Sequence, residues 1–416
     1  MKIVYIHQYF RTPTEPGSIR SYEMARRFVE WGHEVDLITT GPQATDGWRV
    51  SDEAGVRVHW LPIPYSNTTS IRERIGSFFR FAYGAARKAS TLEADVIFAT
   101  STPLTVALPA VWASKRQKAP MVFEVRDLWP DIPIAMGVLK GKGAITAARW
   151  LERFAYRNAA HVIALSPGMK EGVVRTGYPA ERVHVVPNAA DLELFDVPRG
   201  AGQAFRRRHD WLGDRPLVVY AGTLGQVNGV GYLARLAEAV YKDAPDIRFL
   251  VVGRGQEVDK LEALATELGV LNKNFFMHDK VAKNELPEIL SAADLATSLV
   301  VDIRELWDNS ANKFFDGLAS GTAFAVNHGG WQADLLERHE AGIALHPHDF
   351  GEAKAKLIPF LRDRARLESA GHNARRLAET SFARETLSRQ LEQVLVSTQT
   401  SATHRLDVHP VPDAHG

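Results

Sequence analysis

Two successive sets of short apolar runs, each run parted from the next by an amphipathic stretch, predict an α/β protein of two doubly wound parallel-sheet domains. The first set of strand-like runs falls at 3–7, 35–39, 58–61, 96–100, 121–124, 162–166 and 183–186, with helical patterns such as 18–31 and 149–157 between them. The alternation then restarts at 217–221, 249–252, 274–277, 295–299 and 322–326. Between the sets, residues 191–214 hold Pro198, Gly200 and Gly202 ahead of the basic run Arg206, Arg207 and Arg208, which suits a joint.

The expected division is an N-terminal Rossmann-like domain over 1–195 and a C-terminal one over 196–380. A final amphipathic helix over 381–397 carries Leu387, Leu391, Val394 and Leu395. The Thr-, Ser-, His- and Pro-rich end, 398–416, reads as a disordered tail. Open parallel sheets bind ligands beyond the carboxyl ends of their strands, and two such sheets facing each other leave an interdomain cleft.

Composition narrows the chemistry. The chain has 416 residues, 45% hydrophobic and 24% charged, as ordinary globular proteins do. Its net charge of +1 gives no reason to expect nucleic acid as a partner. It has no cysteine, which removes disulfides, zinc–thiolate centres and thiol nucleophiles and fits a reducing cytoplasm. The opening residues run straight into a strand and lack the apolar length of a signal peptide. No apolar stretch approaches the roughly 18 residues of a spanning helix, so a cytoplasmic protein is expected. No metal or cofactor is called for.

Chemistry-bearing residues cluster at the ends of the expected strands. After the first strand comes a loop with Pro13, Pro16, Gly17 and Ser18, where a glycine lets backbone amides approach a phosphate or sugar. The 121–124 strand runs into Glu124, Arg126, Asp127, Trp129 and Asp131. Charge is costly to bury unpaired, so either Arg126 pairs with Asp127 or Asp131, or Asp127 meets ligand hydroxyls and Arg126 a phosphate. The 217–221 strand opens into Gly222, Thr223, Leu224, Gly225 and Asn228, a glycine-containing turn of the kind that cradles anions. Arg254 follows the next strand and has the fork to match a diphosphate. His278 and Val281 follow the one after, where backbone groups can read a base edge.

The richest element is the run from Asp308 to Asp316. As a helix start it leaves Asp308 in the loop, lets Asn309 or Ser310 cap, and sets Asn312, Lys313 and Asp316 on one face. Two carboxylates two turns apart, with a lysine between them, suit a ligand with two sets of hydroxyls around a phosphate, such as a nucleotide-sugar. The same residues also serve as ordinary caps and surface pairs. A helical segment at 72–88 is both basic and aromatic, with Ile75, Phe78, Phe79, Ala82 and Ala86 on one face and Arg72, Arg80 and Arg87 elsewhere. It either packs on the sheet or lies against an anionic membrane surface.

Six segments together resemble the retaining GT-B glycosyltransferases with a Glu-x7-Glu element, over about residues 1–395. They are Gly17-Ser18 with Gly32 to Val35, Arg126 to Pro130, Ser166-Pro167, Val186 to Asp191, Tyr220 to Gly222, and Asp308 to Asp316. Within that family the chain looks most like bacterial enzymes of O-antigen, capsule or exopolysaccharide synthesis, such as the N-acetylfucosamine transferases of the WbuB type. The resemblance implies a nucleoside-diphosphate sugar donor, UDP-linked, bound by the C-terminal domain. It implies a saccharide or polyprenyl-diphosphate-linked acceptor on the N-terminal domain, and a final helix crossing back to it. It places Asp308 at the donor sugar, Asp316 at the ribose hydroxyls, and Gly17 and Gly222 near the diphosphate. Asp308, Asp127 and Arg126 are then the catalytic group. Gly17, Ser18, Gly222, Thr223, Leu224, Arg254, His278, Val281, Asn309, Asn312, Lys313 and Asp316 are the donor-binding set.

The departures are specific. Both acids are Asp instead of Glu, and Thr223 and Asn228 stand where the family has Arg and Lys. Arg126 replaces a customary His. Lys313 and Arg254 become the candidates to meet the diphosphate charge. Two other readings share this architecture: a sugar-nucleotide epimerase and an inactive scaffold or binding subunit. A nicotinamide dehydrogenase is disfavoured, because no GxGxxG follows the first strand.

Overall fold

A computed structural model describes residues 1–15, 17–41, 47–63, 71–198 and 200–407, the side chains of 71–72 and 402–407 excepted. Pro16, the Arg72 side chain and residues 408–416 of the expected tail lie outside the described residues. The chain forms two compact units, Met1–Pro187 with the segment from Leu387 onward, and Asn188–Thr386.

The first unit is built on β1 (Lys2–Ile6), β2 (Glu34–Thr40), β3 (Arg49–Glu53), β4 (Val56–Leu61), β5 (Val96–Thr100), β6 (Met121–Val125), β7 (His161–Ala164) and β8 (Val183–Val185). Their order across the sheet is β3-β4-β2-β1-β5-β6-β7-β8, parallel except for the β3–β4 pair. Successive strand residues face opposite sides. Val4, Ile6, Ile97, Ala99 and Phe123 therefore meet Phe81, Ala110 and Tyr156 in one core. On the other side, Tyr5 donates to Ser21 Oγ at 2.8 Å, under the helix Arg20–Glu30.

The second unit contains β9 (Leu217–Ala221), β10 (Arg248–Val252), β11 (Phe275–His278), β12 (Leu295–Ser298), β13 (Ala323–Val326) and β14 (Gly342–Ala344). Their order is β11-β10-β9-β12-β13-β14, parallel throughout. In each sheet the strand order reverses direction at one point: between β1 and β5 in the first, between β9 and β12 in the second. Loops leaving the carboxyl ends of strands diverge there and open a crevice. The expected site residues come from the loops after β1, β6, β9, β10, β11 and β12.

The last helix, Arg384–Asp407, belongs to the first unit from Leu387 onward. Ser388 Oγ donates to Met24 Sδ at 3.0 Å, His33 Nε2 meets Glu392 at 2.8 Å, and Arg389 lies 3.5 Å over the Trp31 ring. The helix passes the expected boundary at 397 and corrects the expectation of disorder for 398–407. The Thr398 and Thr400 hydroxyls donate to the Val394 and Val396 carbonyls at 2.6 and 3.0 Å, satisfying themselves on the helix.

The helix Ile71–Ala89 divides the apolar face expected there. Phe81, Ala82, Ala85 and Ala89 are buried on the sheet, whereas Ile75 and Phe79 are exposed and Phe78 and Ala86 are half-buried.

Candidate active site

In the first unit, Arg20 is the residue that organises the strand ends, and the sequence reading had missed it. It is buried on the helix face shared with Met24 and Phe28, where a charge predicts a buried partner. Its guanidinium donates to Glu124 Oε1 at 2.8 Å and to the Val186 carbonyl at 2.9 Å, and also bonds the Pro187 carbonyl. Thr100 Oγ1 donates to the other carboxylate oxygen at 2.6 Å. Burial works to raise the Glu124 pKa, but the charge of Arg20, then of Arg126, outweighs it and holds the carboxyl below its usual range.

Arg126 joins three loops. Its Nη2 donates to Ser18 Oγ at 2.9 Å, its Nη1 reaches 3.5 Å from His7 Nε2, and its amide donates to Ser101 Oγ at 3.0 Å. A guanidinium has only donors, so His7 presents Nε2 as acceptor. Burial first, then the charges of Arg126 and Arg11, push the His7 pKa well down, and the ring is neutral. Gly17 stands beside Ser18 with φ +137°, in the region that favours glycine. Asp127 accepts from Thr102 Oγ1 at 3.0 Å. Asp131 instead meets Arg149 at 3.4 Å, so neither carboxylate is the partner of Arg126 that spacing had offered.

In the second unit, the loops after β9, β10 and β11 are zipped edge to edge. Gly222 N donates to Val252 O at 2.9 Å, Leu224 N to Arg254 O at 2.9 Å, and Gly253 N to His278 O at 3.1 Å. A Cβ on Gly253 would come within 1.9 Å of Gly222 O, which explains that glycine. Leu224 is thus part of the scaffold: its side chain is in the core and its amide is spent on Arg254. Thr223 is exposed.

Lys313 reaches this loop from the helix Asn312–Ala319. Its Nζ donates to Asn228 Oδ1 at 2.7 Å and to Tyr220 OH at 3.1 Å, and Tyr220 OH donates on to Thr223 O at 2.8 Å. The ammonium also lies 4.8 Å from the Tyr220 ring centre. A Cβ on Gly222 would sit 3.0 Å from Lys313 Cε. Burial lowers the Lys313 pKa to about 8. Lys313, Gly222 and Asn228 are therefore one cluster, at the β9–β12 crevice.

The run 308–311 is held by its own hydrogen bonds. Asn309 Nδ2 donates to Leu306 O, and Asn309 Oδ1 accepts from Ala311 N at 3.1 Å. Trp331 and Gln332 donate to the Asn309 carbonyl at 2.9 and 3.0 Å. The helix starts at Asn312 with Ala311 at its N-cap, which corrects the expected capping by Asn309 or Ser310; Ser310 Oγ accepts from Asn188 N at 3.2 Å instead. Asp308 meets Arg304 at 3.3 Å and Asn312 is exposed.

Asp316 is buried and accepts two hydrogen bonds from Lys283 Nζ, both 2.8 Å. Burial raises its pKa against the pull of Lys283. The three residues expected on one open face are therefore graded from exposed Asn312 to buried Asp316. Arg254 forms an exposed fork with Asp279, Nη2 to Oδ2 at 2.7 Å, and His278 Nδ1 lies 2.8 Å from the Asp279 carbonyl. Val281 follows in the same loop, half-buried. Lys283 left no signal in the sequence, since the β11 loop pairs it with a residue 33 positions away.

Comparison with known proteins agrees with this fold. Residues 17–189 match the glycosyl transferase 4-like domain, and residues 203–377 match the glycosyl transferases group 1. The chain is 27% identical over 384 residues to WcaI of Escherichia coli (strain K12), described as a colanic acid biosynthesis glycosyl transferase, covering 87% of this chain and 92% of that one. Sucrose-phosphate synthase from Thermosynechococcus elongatus superposes with a TM-score of 0.77 at 17% identity, over 96% of this chain and 99% of the other. Anabaena HepE in complex with UDP-glucose superposes with a TM-score of 0.70 at 18% identity, over 95% and 100%. With the two family matches lying one on each sheet, the chain belongs to the GT-B glycosyltransferases.

Proposed function

We propose that this glycosyltransferase moves a hexosyl or N-acetylhexosaminyl residue from a UDP-sugar to a hydroxyl of a saccharide or polyprenyl-diphosphate-linked acceptor, with retention, in bacterial surface polysaccharide synthesis. The observation that carries the reading is Lys313, a half-buried ammonium held by two neutral oxygens beside Gly222. A diphosphate is the kind of group such a cation awaits. HepE, of the same fold, is seen with UDP-glucose, and WcaI is described as acting in colanic acid biosynthesis.

Asp308 is assigned to the donor sugar and Asp316 to the ribose, which requires Lys283 to share or yield that carboxylate. The C1–O bond to the diphosphate breaks and the acceptor oxygen bonds C1 on the same face. The leaving phosphate takes the acceptor proton. Arg126 and Asp127, from the first unit, are assigned to the acceptor and the leaving group. Lys313 supplies positive charge where the diphosphate develops negative charge.

Calorimetric titration with UDP, GDP, ADP and their sugars tests this. UDP binding that is lost in Asp316→Ala and Lys313→Ala supports it; binding of none of them overturns it.

A further inference from the structure

Three helices of the first unit, Ile71–Ala89, Ala107–Gln117 and Lys142–Asn158, lie side by side over one face of the sheet. Their inner sides give Phe81, Ala85, Ala110, Ala113, Ala155 and Tyr156 to one core cluster. Their outer sides are unusual. Ile75, Phe79 and Tyr83, one turn apart in a single stripe, are 48%, 57% and 66% exposed. Trp112 on the middle helix is 60% exposed and Trp150 on the third is 61% exposed. Large apolar side chains do not gather on an outer surface without something to cover them.

Charge says what covers them. Across these three helices the sequence holds eleven lysines and arginines against two glutamates, a net +9 on a chain whose total is +1. One of the two acids, Glu152, is buried, which leaves Glu73 as the outward one. Several cations stand beside the rings: Arg87 lies 5.8 Å over Tyr83, and Lys88 lies 6.0 Å over Trp48, itself 36% exposed. Trp112 Nε1 donates to Ser90 Oγ at 3.1 Å, which fixes its ring across the first two helices. A protein partner of opposite charge would leave the stripe of Ile75 and Phe79 unexplained. Nucleic acid would take the cations and the flat rings but not Ile75. A lipid surface takes all of them: aromatic rings settle at the headgroup level, aliphatic groups below it, and cations meet anionic headgroups.

We propose that the outer face of these three helices docks the protein on an anionic lipid bilayer. The surface is broader than the single helix that sequence had suggested, and its docking stands whatever the donor sugar is. Among the described residues no helix is long and apolar enough to cross a membrane, so the contact is peripheral.

The test is cosedimentation of the full chain with vesicles. One set contains phosphatidylglycerol and phosphatidylethanolamine, the other phosphatidylcholine alone. The protein should pellet with the anionic set, and raising salt to 0.5 M should release it as the screening length shortens. A Lys or Arg near an anionic surface contributes a factor of about five, so Arg80→Ala with Arg87→Ala and Arg153→Ala should weaken partitioning about 100-fold. Phe79→Ser with Trp112→Ser and Trp150→Ser should lose binding while circular dichroism is unchanged, since all three are at or near the surface. Tyr241→Ser, at an exposed ring of the second unit, should bind as the parent does. Equal pelleting with both vesicle sets, indifference to both triple variants, or binding to a short DNA duplex with none to vesicles would overturn the proposal.

Discussion

Arg20 of the first unit and Lys313 of the second, both cations at strand ends, differ in what they are given to hold. In the first unit Arg20 is matched by the Glu124 carboxylate, and its remaining donors go to backbone carbonyls. In the second, Lys313 is met by a hydroxyl and an amide oxygen. The effect on ionisation is opposite. Glu124 stays charged despite burial because Arg20 is there, whereas Lys313 is pulled down to about 8 by burial that no carboxylate offsets. A buried cation with its anion in place is scaffold; one with only neutral partners keeps its charge for something that has yet to arrive. Arg254 is a third case, an exposed pair with Asp279 that a ligand can exchange at little cost.

The sharpest way to break this contrast is to remove one half of the scaffold pair. Arg20→Met or Glu124→Leu alone leaves a buried charge uncompensated and should cost about 3–5 kcal/mol. The double variant should recover most of that. Urea denaturation reads all three. If the single and double variants are equally unstable, the pair is not the reason for the loss.

Next in size is Lys313→Ala. A preorganised charge at a reacting centre is worth about 10²–10³ in turnover, with the fold retained because the neutral partners can be solvated. Arg254→Ala should fall less than tenfold, since an exposed guanidinium is screened by water and its charge is worth less to a ligand. Equal losses would mean that exposed and half-buried cations serve the diphosphate alike.

Much of the fold was legible in the sequence because both sheets are buried on two faces, and buried parallel strands read as continuous apolar runs. The two strands that were missed are both at sheet edges. In β3, Arg49–Glu53, the sequence RVSDE is mostly exposed and pairs antiparallel, so no apolar run marks it. In β14 three residues suffice, and Gly342 is required because a Cβ there would come within 1.8 Å of Phe324 O. The site was legible in type more than in contact. Spacing put Lys313 on a face with Asn312 and Asp316, but its place beside the Gly222 loop did not show, since its partners Tyr220 and Asn228 come from 93 and 85 residues away. Sequence period cannot show such pairs. For the same reason Lys283 on Asp316 was invisible, and Arg20 could be found only as a charge out of place on an apolar stripe.

A second buried acid sharpens the same comparison from the other side. Glu152 is 4% exposed, as buried as a core residue, and in place of an arginine fork it has Tyr156 as hydrogen-bond partner, with Arg149 and Arg153 acting on it through space. Burial first, then the nearby Asp131, raises its pKa to about 7. The folded state therefore holds a proton that the unfolded chain releases near its ordinary value. Stability from this group is full at pH 4 and is lost as pH rises towards 7, by about 3 kcal/mol given 1.36 kcal/mol per unit over the shift from 4.5 to about 7. Glu152→Gln should flatten that slope in urea titrations between pH 5 and 8. A parent protein whose stability rises over that window would show that Arg149 and Arg153 neutralise the carboxyl after all.

The smallest effect expected is also the most direct reading of Lys313. Its free-enzyme pKa of about 8 lies within reach of assay, unlike that of an ordinary lysine. Its lowered pKa means that the ammonium is lost, not gained, as pH rises through 8, and with it the charge that a diphosphate meets. The pH dependence of kcat/KM reports the free enzyme, so kcat/KM should fall about fivefold between pH 8 and pH 9. In the complex the bound diphosphate stabilises the ammonium, so kcat should fall much less over the same range. Lys313→Arg removes the ionisation, because a guanidinium stays protonated, and should leave a flat kcat/KM at a lower level set by its poorer fit beside Gly222. A fall above pH 8 that survives in Lys313→Arg would assign the titration to another group and leave Lys313 as a structural tie between β9 and the helix Asn312–Ala319.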